Sequence, residues 1–263
     1  MNWTHLEQIR TAEAELALAE LQRRKPPRAN LIEIGGGSGW QAQKFAEAGY
    51  DVASFDLPNS EYAGHRAYAV QDYDGHRLPA ESACADIVFS SNVLEHIAHV
   101  HAFQIELLRV LKLDGIAVHI LPTSSWRLWT SVTHYPWVTK KLAGRLTGRT
   151  VAQLPIREGA CADSQVQNAS LGRTIKNALY PARHGEIGNS ITELYYFSRH
   201  RWTRLFEATG WRIDHYSTNG LAYTGHSLVG GALCLSTRRR MSRFLGSSCH
   251  VFVLRKALYK MPP

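Results

Sequence analysis

The sequence predicts an α/β fold, a mostly parallel seven-stranded sheet with helices on both faces and a lid inserted after the fifth strand. Three observations predict it: apolar runs alternate with helical stretches over the first 121 residues, a glycine-rich turn follows the first run, and two strand-like runs return near the end. Leu6, Ile9, Leu16 and Leu21 recur at helical spacing, so a leading amphipathic helix is read over Thr4–Arg24, stopped by Pro26-Pro27. Asn30–Ile34 reads as the first strand, Gly35–Gly39 as a turn and Trp40–Ala48 as a helix. Asp51–Asp56, Ala67–Val70 and Ala85–Ser91 read as the next three strands. A helix over Val100–Leu111 leads through Asp114-Gly115 into the fifth strand, Ile116–Leu121. From Pro122 to about Ser190 periodicity is lost and aromatic residues mix with basic ones, the pattern of an insertion or lid. A helix over Arg199–Thr209, ended by Gly210, precedes the late strands Trp211–Ser217 and Cys249–Arg255. The expected organisation is one domain over 1–263: a leading helix to 28, a core over 29–121, the lid over 122–190, and a C-terminal helix with the late strands over 191–263.

Net charge is +8, unevenly placed: residues 1–122 hold ten Lys/Arg against sixteen Asp/Glu, and residues 123–263 hold twenty against six. Such asymmetry suits an anionic acceptor, an anionic lipid surface or nucleic acid, or is simply a solvated basic face. The cysteines Cys84, Cys161, Cys234 and Cys249 are scattered, without a CxxC pair, which argues against a disulfide framework or a zinc site and for a reducing compartment. Acidic residues throughout the first 25 positions exclude an ordinary signal peptide or a spanning helix there. A cytoplasmic location is expected, with peripheral contact at the inner membrane as an option.

Gly35, Gly37 and Gly39 mark a strand-to-helix turn where the missing side chains let backbone approach a ligand. A dinucleotide fingerprint would need GxGxxG, and Trp40 occupies its third glycine position, which argues against an NAD-dependent oxidoreductase. A nucleoside–amino-acid cofactor has no pyrophosphate; it needs one acid for an ammonium group and another for ribose hydroxyls. Glu33, just before the turn, and Asp56, ending the second strand, stand at those offsets.

Together the segments LIEIGGGSG, VASFD and YDGHRLPAESACADIVFSSNVLEHI resemble the class I S-adenosylmethionine-dependent methyltransferases over roughly residues 29–121. The NVLEH ending is similar to their small-molecule and sugar-modifying branch. The resemblance implies a Rossmann-like sheet with S-adenosyl-L-methionine as cofactor. It places Glu33, Gly35, Gly37 and Gly39 around the methionine part, Asp56 and Leu57 at the ribose edge, and Asp74-Gly75 beside the adenine. Asn92 and Leu94 would form the floor. Asp72 is the alternative to Asp74, and Leu94 could equally be core.

Methyl transfer from a sulfonium depends mainly on holding acceptor and methyl in line. A hydroxyl acceptor must also lose a proton, for which histidine is the usual base. His96, on the rim after the fourth strand, ranks first as catalytic residue, ahead of His134 and His184, with a packing role as its alternative. Trp126 and His134 are the candidate substrate contacts in the lid. The stretch Leu121–Thr130 and the ending Leu245–Cys249 are similar to methyltransferases found with bacterial surface-polysaccharide enzymes, which implies O-methylation of a small molecule or a glycan, lipid-linked or otherwise. A nucleic-acid-binding protein or nucleic-acid methyltransferase is the alternative, but no RRM, KH, zinc-finger or helix-turn-helix signature is present, and the turn Ser91–Leu94 lacks an NPPY-like motif. Trp126, Trp129, Tyr135 and Trp137, followed by Lys140, Lys141, Arg145 and Arg149, are expected either to share one membrane-facing surface or to divide, the tryptophans forming the core of the lid and the lysines solvating its outside.

Overall fold

A computed structural model describes residues 3–58, 60, 64, 66–146, 180–225 and 233–257. Its elements run α1 (Trp3–Gln22), β1 (Asn30–Ile34), α2 (Trp40–Glu47), β2 (Asp51–Asp56), β3 (Val70–Asp72) and β4 (Ala85–Ser91). After a 3-10 turn at Leu94–His96 come α3 (Val100–Val110), β5 (Leu111–Pro122), α4 (Ser124–Leu146), α5 (Glu193–Tyr196), α6 (Arg199–Ala208), β6 (Trp211–Thr218), α7 (Leu235–Leu245) and β7 (Cys249–Lys256). The strands form one seven-stranded sheet in the order β3-β2-β1-β4-β5-β7-β6, all parallel except β7, which pairs antiparallel with both β5 and β6. The sheet is the expected one.

Successive strand residues point to opposite faces, and both faces are covered, so the central strands are apolar without interruption. Ile32, Val88 and Leu254 face one core with Phe103, Leu107 and Val110 of α3 and Trp202, Leu205 and Phe206 of α6. Leu31, Ile87, Val118 and Val253 face the other, with Ala17 and Leu21 of α1 and Ala42 and Phe45 of α2. Sheet order reverses between β1 and β4, which opens a crevice at their carboxyl ends, the usual ligand position in such sheets.

Several boundaries differ from expectation. The third strand is Val70–Asp72, not Ala67–Val70, because only that stretch meets Ser54–Asp56 of β2 in parallel register. The fifth begins earlier, at Leu111, with an irregularity between its pairings at Ala85 and Ile87. The first part of the lid is not aperiodic: α4 is a helix of 23 residues. Its buried face includes Arg127, Thr130 and His134, so no apolar stripe shows in the sequence, and Pro136 sits inside it where a breaker is expected. Residues 147–179 of the lid lie outside the described residues. Among the described residues, no helix is long and apolar enough to cross a membrane.

The leading helix is pinned by Glu13, a buried acid. Its carboxylate accepts hydrogen bonds from Arg10 Nη1 (2.7 Å), Asn219 Nδ2 (2.8 Å) and the Tyr223 hydroxyl (2.8 Å). Glu13→Ala removes a carboxylate acceptor from three polar groups, one of them charged. Urea unfolding is expected to show a loss of about 2–4 kcal/mol, toward the lower part of the range for a broken buried pair because Arg10 reaches solvent; a loss below about 0.5 kcal/mol, the scale of an ordinary surface change, would contradict the pin.

Candidate active site

The turn after β1 is crowded on every side. Gly35, Gly37 and Gly39 all have positive φ, at 74°, 53° and 73°, where a side chain is strained. A Cβ on Gly35 would overlap Val93, and one on Gly39 would meet the Tyr68 backbone at 2.8–2.9 Å. Gly36, which sequence reasoning passed over, is constrained by space alone, since a Cβ there would overlap the Ser54 hydroxyl. The amides of Gly35 and Gly36 both donate to Phe55 O (2.8 and 3.1 Å), and Gly37 donates to Asp56 Oδ2 (2.9 Å). Asp56 Oδ1 accepts from Leu57 N at 2.8 Å. Glu33 is buried beneath the turn and accepts from Ser54 Oγ at 2.6 Å. Burial, reinforced by the nearby Asp56 charge, raises its pKa to about 7 despite the Ser54 bond.

At the neighbouring edge, Asp74 Oδ1 accepts from His76 N and Arg77 N, each at 2.8 Å, and these amides hold its pKa below the usual value. Asp72 instead pairs with Arg66 at 2.9 Å. A Cβ on Gly75 would come within 3.1 Å of Leu57, so Leu57, Asp74 and Gly75 form one patch beside Asp56. His99, which the sequence did not single out, donates from Nε2 to Gly75 O (3.0 Å) and stacks on His76 at 4.2 Å.

Beyond β4, Asn92 has a φ of 54° and donates its amide to Ile120 O at 2.8 Å. Leu94 is fully buried in the core cluster with Ile34, Val100 and Phe103, the alternative placement raised for it above. The adjacent Glu95 is also buried, and neither carboxylate oxygen has a hydrogen-bond partner among the described residues. Burial pushes its pKa up to about 8. Its Oε1 lies 3.8 Å from His96 Nε2 and 3.9 Å from His184 Nε2. The two imidazoles meet edge to face at 4.8 Å, and Trp126 packs against His184 at 4.6 Å.

His96, His184 and Trp126 are thus brought together, whereas His134 is buried eight residues further along α4, about 12 Å by helical rise. A buried ion pair makes the difference. Arg127 of α4 lies 3.1 Å from Glu193 of α5 and donates to Ser190 O and Ala182 O at 3.2 and 3.0 Å. Glu193 Oε1 accepts from the amides of His184 and Gly185 at 2.6 and 2.7 Å. Glu186 N then donates to Glu95 O at 3.0 Å, which seals the segment against the rim. Burial raises the pKa of Glu193, and the Arg127 charge opposes that rise. Neither residue carries a motif, so only the folded contact reveals them.

The expected exposed aromatic belt does not form as read. Trp126 is buried, and Trp129 is half-buried and donates Nε1 to Leu245 O at 2.8 Å, because indoles with a packed ring and a bonded N–H belong to the interior. Arg149 and the side chains of Lys140, Lys141 and Arg145 lie outside what is described.

A family model described as "Methyltransferase domain" matches residues 5–216. A methyltransferase of uncharacterised role from Mycobacterium ulcerans (strain Agy99) is 35% identical over 94 residues, which are 34% of this chain and 37% of that one. This chain therefore spans well under half the length of that relative. Among solved structures, a chain of the Haloferax volcanii complex between the Trm112 methyltransferase activator and a methyltransferase superposes with a TM-score of 0.53 at 12% identity, covering 93% of this chain and 90% of that one. Geranyl diphosphate C-methyltransferase from Streptomyces coelicolor A3(2) gives a TM-score of 0.51 at 14% identity, covering 94% and 79%. With the family model spanning most of its length and the sheet in this order, the chain belongs to the methyltransferase domain family.

Proposed function

We propose that this protein binds S-adenosylmethionine across the carboxyl ends of β1, β2 and β3 and methylates a hydroxyl of a small molecule or glycan. The observation that carries the reading is the pair of acids, Glu33 and Asp56, flanking a turn in which no side chain fits at Gly35, Gly36 or Gly39. The residues suit the cofactor: a buried carboxyl for an ammonium, a half-exposed carboxylate for vicinal hydroxyls, and the patch of Leu57, Asp74 and Gly75 for a flat base. When bound, S-adenosylmethionine supplies a sulfonium methyl, whose S–C bond breaks as a bond to the acceptor oxygen forms, sulfur keeping the electron pair.

The chain's own part is positional and protonic. Gly35–Gly37 present their backbone to the cofactor while Asp56 fixes the turn. His96 stands on the acceptor side with His184, Glu95 and Trp126, and an oxygen acceptor, which must lose a proton, gives that group a task. The excess of basic residues after position 122 favours an anionic acceptor such as a phosphate-bearing or lipid-linked glycan. Exposed Leu128, Val132 and Tyr135 on α4 and Phe244 beside Arg243 on α7 favour work at an anionic membrane surface. An NAD-dependent oxidoreductase is set aside by family membership; the basic excess would also suit nucleic acid, but no recognition signature accompanies it.

Calorimetry with S-adenosylhomocysteine tests the cofactor site. Asp56→Ala is expected to weaken binding by about 1.5–3 kcal/mol, the worth of hydrogen bonds to a charged group. Unchanged affinity in a folded variant would remove Asp56 from the ribose. Glu33 adds a pH signature. With its free-state pKa raised to about 7, it holds a proton below that pH, and an ammonium partner favours the carboxylate. Binding then releases a proton, and affinity at about pH 6 should be about tenfold weaker than at about pH 8. Glu33→Gln should flatten the dependence; a flat profile in the parent chain would separate Glu33 from the ammonium.

A further inference from the structure

We propose that Glu95, His96 and His184 form a binding site for one divalent transition-metal ion, with a Glu95 carboxylate oxygen and the Nε2 atom of each histidine as ligands. The three ligand atoms all lie within 4.8 Å of one another. Around an ion with metal–ligand distances of about 2.0–2.2 Å, neighbouring ligand atoms sit roughly 3–3.5 Å apart. The observed 3.8 and 3.9 Å separations from Glu95 Oε1 need a contraction of roughly half an ångström, and the two histidine nitrogens, within 4.8 Å of each other, must close by up to about 1–2 Å as the ion draws them in.

The strongest indication is Glu95 itself. Its side chain is wholly inaccessible, both oxygens lack a hydrogen-bond partner among the described residues, and its surroundings include Leu94, Ile97, Phe197 and Trp202. A carboxyl in such a place is costly unless something positive or proton-donating meets it. The other charge that acts on it, Arg10 of α1, is engaged by Glu13 at 2.7 Å. A cation between Glu95 and the two imidazoles satisfies the acid.

The surroundings are also built. His184 is fixed by its backbone bond to Glu193 and by ring contacts with Trp126 and Phe197. Gly185 lets its segment close on Glu95, since a Cβ there would come within 2.8 Å of Glu95 O. Ligand type then selects the ion. Two imidazoles and one carboxylate suit zinc, manganese, iron or cobalt, whereas magnesium and calcium prefer oxygen alone. Three protein ligands leave coordination positions open, as in catalytic rather than structural sites.

A hydroxyl bound at an open position would be acidified by the ion and oriented for attack, its proton passing to solvent water as the oxygen takes the methyl group. That role rests on the oxygen-acceptor reading above; the metal site does not.

The test is titration of the untagged, chelator-treated chain with Zn2+ and Mn2+ by calorimetry, with elemental analysis after dialysis. One ion per chain is expected. Glu95→Gln, which keeps the shape of the side chain, and His184→Ala, in a partly exposed segment, should each weaken binding by about tenfold or more. Bound Co2+ should show the visible absorption of nitrogen ligation, lost in His184→Ala, and circular dichroism checks that each variant is folded. Asp56→Ala should bind the ion like the parent chain. Binding no tighter than about millimolar, or stoichiometric binding unchanged in a folded Glu95→Gln or His184→Ala chain, would overturn the proposal. S-adenosylhomocysteine titrated into the same samples separates this outcome from failure of the cofactor reading.

Discussion

The turn between β1 and α2 is the constraint on which the site depends. It must reverse direction between Val93, Ser54 and Tyr68, and no side chain can be added at Gly35, Gly36 or Gly39 without overlap. That closeness joins the loops after β1 and β4, the two strands that flank the reversal of sheet order. It also puts three consecutive amides, Gly35 to Gly37, under Phe55 and Asp56 at the end of β2. The crevice follows from sheet order, but its chemistry follows from the glycines, which bring two acids from different strands to one edge.

The rim after β4 is organised differently, by charge buried away from water. Arg127 and Glu193 come from helices on either side of the long lid segment, and both side chains are nearly inaccessible. Each would be costly alone, and together they hold residues 182–190 against the rim of β4. Such a pair contributes little net stability compared with an apolar pair, but it fixes one arrangement because any other leaves a charge unpaired. His184 meets His96 and Glu95 through that arrangement, although 88 positions separate the two histidines.

The features legible in the sequence were those with local causes. Strands buried on both faces must be apolar throughout, so β1, β4 and β7 stood out, and a turn that excludes side chains shows as glycine. Glu33 and Asp56 were readable because their offsets from that turn are fixed by strand length. Where the partner is distant, the signal vanished. Glu13 gave no sign of its bond to Tyr223, 210 positions away, and Arg127 looked like one more basic residue of a lid. The helix α4 was hidden because its buried face carries Arg127, Thr130 and His134, side chains that read as exposed. Leu94 and Trp126 illustrate the converse: apolar residues near a site packed inward, where burial stabilises them most.

The central claim is that the cofactor lies over the glycine turn, between Glu33 and Asp56. Hydrogen exchange followed by mass spectrometry, with and without saturating S-adenosylhomocysteine, reads this directly. The account predicts slowed exchange in peptides covering residues 33–39 and 54–58, where the amides of Gly35, Gly36, Gly37 and Leu57 are already bonded across the turn. The far edge, β6 with the outer half of β7, should exchange unchanged. Protection confined to that far edge, or to none of these peptides despite measured binding, would contradict it.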